Sequence, residues 1–279
     1  MKKTTILIYM LSLLGACAPI AKDDYLIEVD TNVPGDDGGD TETPVYYKSV
    51  LIEDFTGQAC VNCPDAADVI DGLRDAYGDK IVPVAIHCNP MGFAGNAKNL
   101  GLMTELGKAY GEYWGVATQP VGLVNRVGGL SDRSQWLTAV AAELSQETPL
   151  ALALDNTYDE ETQTACIKVE LKANAAVTGK LQVWLVEDGI TAMQKTPQSG
   201  SGYDRTYVHN HVFRAAVNGA WGDAVSVLPG QAQVVEYTFA LTAANHQAYQ
   251  PDYVPGNCAA VAFVYGSDGV VQAAIGRIK

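Results

Sequence analysis

Hydrophobic and polar positions along residues 46–148 follow two alternating patterns. Continuous apolar runs, typical of strands buried on both faces, cover 46–56, 81–87 and 121–127. Apolar residues at the three-to-four spacing of an amphipathic helix cover 64–77, 96–114 and 131–146. Ser131 or Asp132 is a candidate N-cap for the last of these helices. Because strands alternate with helices, this part of the chain is predicted to be an α/β domain at 45–148.

The pattern changes after Pro149. Short segments of alternating apolar and polar residues, separated by turns, follow one another to the end of the chain, and no helical spacing stands out. Such alternation is typical of strands with one face buried and one face in water. We therefore predict a second, all-β domain at 149–279, built as an immunoglobulin-like sandwich.

The first residues have the features of an export signal. Two lysines precede an apolar run that is too short to span a bilayer, and the small residues Gly15 and Ala16 stand directly before Cys17. This order predicts a lipoprotein signal peptide at 1–16, with Cys17 as the acylated residue; the alternative is an ordinary secretory signal with a chance cysteine. Residues 17–44, rich in Asp, Gly, Thr and Pro, are expected to be the lipidated terminus and a flexible acidic linker.

The predicted lipidation implies a location at a membrane, which is then one partner of the protein. Acyl chains bury many methylene groups in a bilayer, so we expect the protein to be held at a membrane by its lipid. The sequence at 18–24 lacks an acidic second mature residue, and Lys22-Asp23-Asp24 resembles the acidic surface-export tag of some lipoproteins. We therefore expect an outer-membrane, lipid-anchored protein, for which the cell surface and the periplasmic face are the two alternatives.

Charge excludes another class of partner. The chain has 18 basic and 32 acidic residues, a net charge of −14. Nucleic-acid binding needs clustered Lys and Arg, so no nucleic-acid partner is expected. A protein or glycan is the expected partner outside the cell.

The six cysteines leave an odd number once Cys17 carries lipid. Cys166 lies in the second strand of the predicted sandwich and Cys258 in the second-to-last. An inter-sheet disulfide between such strands is a recurrent device, so we predict a Cys166–Cys258 bond; separate buried thiols are the alternative. Cys88 is interpreted as a small buried residue, with thiol exchange as its alternative role.

An ordered set of motifs in the first domain resembles the thioredoxin fold. Asp54-Phe55 precedes Cys60-Val61-Asn62-Cys63 at a predicted strand-to-helix turn, the next strand ends in Asn89-Pro90, and Gln119-Pro120 comes before the third strand. The resemblance implies that Pro120 is a cis-proline bordering the site, where it would offer backbone groups to a substrate strand.

A narrower resemblance covers nearly everything after the linker. The segments EDFTGQACVNCPDA, VWLVED and YVHNHVFRAAVNGAWG are similar to those of outer-membrane-protein-28-related lipoproteins of Gram-negative anaerobes. Members of that family combine a signal, a thioredoxin-like domain and a β-sandwich. The resemblance therefore implies the same order of parts here.

The chemistry of the Cys60–Cys63 pair follows from its place before a helix. Free N–H groups and the helix dipole stabilise a thiolate there. Cys60 is the predicted exposed nucleophile and Cys63 the buried resolving thiol. Asp54 is the candidate proton acceptor for Cys63, because burial raises the pKa of a carboxylic acid. A permanent structural disulfide remains the alternative.

No metal or cofactor is predicted. A zinc site needs about four ligands, and the C-x-x-C motif has no second ligand pair nearby. His209 and His211 share a face of one predicted strand, where packing is the preferred interpretation over metal binding. His87 is expected at the same sheet edge as the motif.

Two functions follow from these residues. The first is thiol–disulfide exchange by a lipid-anchored oxidoreductase through Cys60 and Cys63. The alternative is a non-catalytic surface binding or adhesion protein, in which the thioredoxin-like domain is a scaffold and loops of the sandwich bind a glycan or protein. Accessibility of Cys60 distinguishes them.

Overall fold

The computed structural model describes residues 45–279, which belong to one compact unit. Three α-helices and fifteen β-strands make up this part of the chain, so the architecture is mixed α/β with strands predominating. The predicted signal peptide, the lipidation residue Cys17 and the acidic linker lie outside the described residues. None of the described helices is long and apolar enough to cross a membrane.

The amino-terminal part follows the predicted order of strands and helices. Its elements are β1 (Tyr46–Tyr47), β2 (Val50–Thr56), α1 (Cys63–Tyr77), β3 (Ile81–His87), α2 (Glu105–Trp114), β4 (Val121–Val124), α3 (Arg133–Leu144) and β5 (Glu147–Thr148). Asp132 is the N-cap of α3, where its carboxylate accepts a hydrogen bond from the amide of Ser134 at 2.9 Å. A capped start satisfies a helix N–H that otherwise has no partner.

The predicted helix over 96–114 is wrong in its first half. Helix α2 begins only after Thr104, whose hydroxyl oxygen accepts a hydrogen bond from the amide of Gly107 at 2.8 Å. Upstream, Gly101 lies so close to the chain that a Cβ there would be 2.1 Å from the carbonyl carbon of Ala94. The apolar pattern of this segment instead reflects Leu102, which is buried in a loop. Close backbone packing, not helical periodicity, accounts for the pattern.

The carboxyl-terminal part contains strands, as the alternation predicts, and no α-helix between residues 149 and 279. Its strands are β6 (Leu150–Asp159), β7 (Thr164–Ala173), β8 (Val177–Glu187), β9 (Ile190–Thr191), β10 (Val208–His209), β11 (Val212–Ala216), β12 (Asp223–Val227), β13 (Ala232–Ala240), β14 (Cys258–Gly266) and β15 (Gly269–Arg277).

One eight-stranded sheet contains strands from both parts. Its order is β15-β14-β8-β11-β3-β2-β4, and β12 pairs with β8 beside this path. Strands β2 and β3 are parallel, and β11 pairs with β3 in parallel through Val212 and Ala85. The sheet therefore crosses the predicted domain boundary at residue 148, with the β3–β11 pair as the junction.

Layers on either face of this sheet complete the core. Helices α1 and α3 bury Leu73 and Trp136 against β2 and β4, while α2 buries Tyr110 on the side of Trp184 and Phe213. A second sheet, β13-β7-β6, packs its apolar face on β8 and β14. The two sheets therefore face each other across one core.

The predicted Cys166–Cys258 disulfide is wrong, because Cys258 is a free, fully buried thiol. Successive side chains of a strand point to opposite faces. Ala165 and Ile167 of β7 are fully buried between the sheets, so Cys166 points to the outer face. Cys258 lies in the core, where burial raises the pKa of its thiol to about 12. The strands that contain the two cysteines are compatible with a disulfide, but the outward direction of the Cys166 side chain is not.

Candidate functional site

The C-x-x-C motif lies in the turn between β2 and α1, and its two cysteines are joined by a disulfide with a Cα–Cα distance of 5.4 Å. Cys63 is the first residue of α1, one residue before the predicted start of the helix at Pro64. Cys60, however, is only 1% exposed and Cys63 is 3% exposed. The prediction that Cys60 is an exposed nucleophile is therefore wrong for this structure, because another part of the chain packs over it.

The segment between β9 and β10 covers the motif. The side-chain amide of Gln194 donates hydrogen bonds to the carbonyl oxygens of Cys60 at 2.8 Å and Gly57 at 3.3 Å. Next to it, the amide of Lys195 donates to the carbonyl oxygen of Gln58 at 2.8 Å. The side chain of Gln58 in turn donates to the carbonyl oxygen of Met193 at 3.0 Å. These reciprocal bonds hold the covering segment directly on the motif.

Asp54 and Cys63 line the same cavity, which has a volume of about 80 Å³. Asp54 lies in the middle of β2 between Ala85 of β3 and Gly122 of β4, and is 3% exposed. One of its carboxylate oxygens, Oδ1, has no hydrogen-bond partner among the described residues. Burial raises the pKa of Asp54 to about 7, because a charged carboxylate is poorly solvated there. The structure thus brings together two residues of the predicted exchange site.

Two further lining residues of the cavity, His87 and His209, contact each other. The rings of His87 and His209 meet edge to face with centroids 5.3 Å apart. Burial lowers the pKa of His209 to about 4, and burial together with the neighbouring His209 holds the pKa of His87 well below its usual range. Nδ1 of His87 and Nε2 of His209 have no partner within residues 45–279. Both imidazoles are therefore neutral at pH 7.

His211 lines the same cavity but is already engaged by charged neighbours. Its ring nitrogen Nε2 accepts from Arg74 at 3.2 Å, and its backbone amide donates to Asp188 at 2.7 Å. Across the described chain, no three His, Cys, Asp or Glu side chains are arranged to hold a metal ion.

Pro120 and Cys88 occupy the neighbouring edge of the sheet. The Gln119–Pro120 peptide is cis, as the resemblance implied. The side-chain amide of Gln119 donates to the carbonyl oxygen of Thr56 at 2.7 Å and contacts the sulfur of Cys88 at 3.3 Å. Cys88 is a free, fully buried thiol, and burial raises its pKa to about 12. That environment agrees with a small packing residue and not with an exchanging thiolate.

Sequence reasoning missed the residues that decide access to the disulfide. No sequence motif marks these residues, which are Gln58, Met193 and Gln194. The last two lie far from the C-x-x-C motif along the chain, since Gln194 and Cys60 are 134 positions apart. The sequence favours packing or a surface cluster for His209, and the structure shows that its ring packs against His87. Only pairing of β10 with β9 brings it there.

Comparison with known proteins identifies a family and a fold. The family model described as outer membrane protein Omp28 matches residues 107–279. No curated protein matches the sequence. Among solved structures, HBP35 of Porphyromonas gingivalis is similar with a TM-score of 0.61 and 18% identity, covering 84% of this chain and 76% of that one.

A second solved structure, a protein from Agrobacterium tumefaciens, is similar with a TM-score of 0.53 and 13% identity. It covers 84% of this chain and 96% of its own. At such identities the two structures share the fold with this protein and indicate nothing about its chemistry.

Proposed function

The chain belongs to the family of outer membrane protein Omp28, and we propose that it is a surface binding protein of the outer membrane in which Cys60–Cys63 is a structural disulfide. Membership in the family implies association with the outer membrane.

The burial of both sulfurs carries the proposal. A thiol–disulfide exchange partner must approach one sulfur along the bond axis, and a working nucleophile is solvent-accessible. Cys60 is 1% exposed beneath the Gln194 segment. A disulfide in this setting stabilises the turn that starts α1 and does not react.

Thiol labelling of the native protein tests the proposal. The full chain is held in a glutathione buffer, alkylated without denaturant, and analysed by mass spectrometry at Cys60 and Cys63; a denatured, reduced sample is the control that shows full labelling. We expect no label at either residue in the native sample. Stoichiometric native labelling of Cys60, together with reduction of a substrate disulfide, would overturn the binding-protein proposal.

Thiol–disulfide exchange is the second candidate, and the shared cavity of Asp54 and Cys63 favours it. In that reaction the Cys60 thiolate attacks a substrate disulfide, Cys63 attacks the mixed disulfide, and Asp54 takes the proton of Cys63. Two electrons pass to the substrate, and an external dithiol must reduce the restored Cys60–Cys63 bond. The measurement is the midpoint potential of the pair, which lies in the range of catalytic pairs, about −270 to −120 mV, only if this candidate is right.

The proposal also includes a lipid anchor at Cys17 and a fold assignment for each part of the chain. Acylation of Cys17 would hold the protein at the outer membrane, and incorporation of labelled palmitate that is lost in Cys17→Ser tests it. The parallel β2–β3 pair, the antiparallel β4 and the helix after the C-x-x-C motif support a thioredoxin-like amino-terminal part. The packing of the β13-β7-β6 sheet on the main sheet supports an immunoglobulin-like sandwich.

A further inference from the structure

An open cleft lined by aromatic residues lies on the side of the main sheet that carries α2. It has a volume of about 430 Å³, within the range of small-molecule sites. Four aromatic rings line it: those of Tyr113, Trp114, Trp221 and Tyr265. We call this feature the aromatic cleft. It shares no lining residue with the cavity beside Cys63.

The rings form a fixed surface that faces water. Tyr113, near the end of α2, is 65% exposed. Its ring centroid is 4.4 Å from that of Trp221 and 5.3 Å from that of Trp114. Aromatic side chains held by one another lose little conformational entropy when a ligand stacks on them. An exposed tyrosine in such a cluster is therefore suited to binding.

A buried ion pair makes the floor rigid and electrically balanced. Arg126 donates two hydrogen bonds to Glu53, at 2.7 and 2.8 Å, and their side chains are 5% and 1% exposed. The guanidinium lies 4.6 Å from the ring centroid of Tyr265 and 5.6 Å from that of Trp114. Because Glu53 neutralises this cation, Arg126 orients the rings and does not bind an anion.

Two polar groups of the aromatic cleft lack partners. Lys180 is exposed on β8, and no residue in 45–279 forms an ion pair with it. The indole N–H of Trp114 is buried without a hydrogen-bond acceptor in the same part of the chain. Because this N–H has no surface accessible to solvent, a ligand in the open cleft does not contact it. The cleft therefore offers one cation, Lys180, beside flat apolar faces.

We propose that the aromatic cleft binds a carbohydrate, with a carboxylate-bearing pyranose ring against Tyr113 and Trp221. The C–H faces of a pyranose are flat and apolar and stack on aromatic rings. Lys180 pairs with the carboxylate. A polyanion such as a nucleic acid needs several clustered cations, which this protein of net charge −14 does not offer at the cleft.

The inference names the ligand class of the binding role proposed above and rests on that role. Every residue that lines the aromatic cleft has a number between 113 and 269, inside the range that matches the family model. The C-x-x-C motif lies outside that range. The part of the chain that defines family membership therefore contains the complete cleft.

Tryptophan fluorescence titration of the full chain tests the inference. The probes are the trimer of galacturonic acid and the trimer of galactose with the same linkages. We expect the acidic trimer to bind and to change the emission of Trp114 and Trp221. Tyr113→Ala should weaken its binding about tenfold, the loss of about 1.4 kcal/mol of ring stacking. Tyr47→Ala, which truncates a tyrosine 59% exposed elsewhere, is the matched control and should bind as the wild type does.

Lys180→Gln tests the carboxylate contact. We expect Lys180→Gln to weaken binding of the acidic trimer about fivefold and to leave binding of the neutral trimer unchanged. The control is Lys172→Gln, which removes an exposed lysine of β7 and should leave the binding of both trimers unchanged. Equal binding of both trimers by the wild type, or unchanged binding in Tyr113→Ala, would overturn the inference. The proposed function is tested separately by the labelling of Cys60, so failure of the carbohydrate inference and failure of the proposed function are distinguishable.

Discussion

Replacing Asp54 by asparagine should stabilise the protein at neutral pH, and the gain should depend on pH. Burial raises the pKa of this carboxyl from 3.8 to about 7 in the folded chain. Below about pH 4 the carboxyl is protonated in both the folded and the unfolded states, so it does not affect the balance. As pH rises, the unfolded state releases the proton and the folded state retains it. Wild-type stability due to this group is therefore lost as pH rises towards 7.

The magnitude follows from the size of the shift. One pKa unit corresponds to about 1.4 kcal/mol, so a shift of about three units disfavours the folded wild type by about 4 kcal/mol above pH 7. Asparagine has nearly the same shape and no charge. The difference in unfolding free energy, Asp54→Asn minus wild type, should increase by about 4 kcal/mol between about pH 4 and pH 8.

Urea unfolding at several pH values measures this difference, with the disulfide kept oxidised. His87 and His209, whose pKa values burial lowers, also titrate, but they are common to both proteins and cancel in the subtraction. Asp75→Asn, which removes an exposed carboxylate on α1, is the control that separates burial from simple loss of charge. A difference that stays constant across the pH range would show that Asp54 is ionised in the folded protein, and the reasoning would be refuted.

Three further predictions concern the disulfide and the floor of the aromatic cleft. Replacing Cys60 and Cys63 together by serine should lower the unfolding free energy by about 2 kcal/mol, because the disulfide closes a four-residue ring and restricts the unfolded chain. Urea unfolding measures this loss, and an unchanged unfolding free energy would argue against a structural disulfide. In the reduced protein, Gln194→Ala should raise the alkylation rate of Cys60 by roughly tenfold, because it removes the hydrogen bonds that hold the segment between β9 and β10 over the motif. Mass spectrometry measures the rate, and an unchanged rate would show that other contacts hold this segment in place. Glu53→Gln should cost about 3 to 5 kcal/mol in thermal or chemical unfolding, because it leaves the buried Arg126 without its charge partner, and a loss below about 1 kcal/mol would contradict that pairing.

Local signals in the sequence identified most helices and strands of the amino-terminal part. The helical spacing over 64–77 matches α1, the apolar run over 81–87 is β3, and Asp132 caps α3 as one of two candidates. The family resemblance, carried by short segments such as VWLVED, is confirmed by the match over residues 107–279. These features depend on residues a few positions apart, and a sequence records such neighbours directly.

Where distant segments meet, the same signals were insufficient. The apolar residues at 96–104 have helical spacing, yet close approach of Gly101 to the chain near Ala94 keeps that segment in a loop. Cys166 and Cys258 lie in suitable strands, but alternation turns Cys166 outward. Each error arises because a pattern predicts an element and does not specify what packs against it.

By itself, the sequence determined the alternation of strands and helices, the β-rich second half, the place of Cys60–Cys63 before a helix, and the family. Only the tertiary structure decided that Gln194 covers the motif, that His209 contacts His87 in the cavity beside Cys63, and that Tyr113 and Trp221 share a cleft. The physical reason is that accessibility and pKa depend on desolvation by whatever lies nearby in space. Those neighbours are brought together by sheet pairing across more than a hundred positions, as in the contact between Gln194 and Cys60 at a separation of 134.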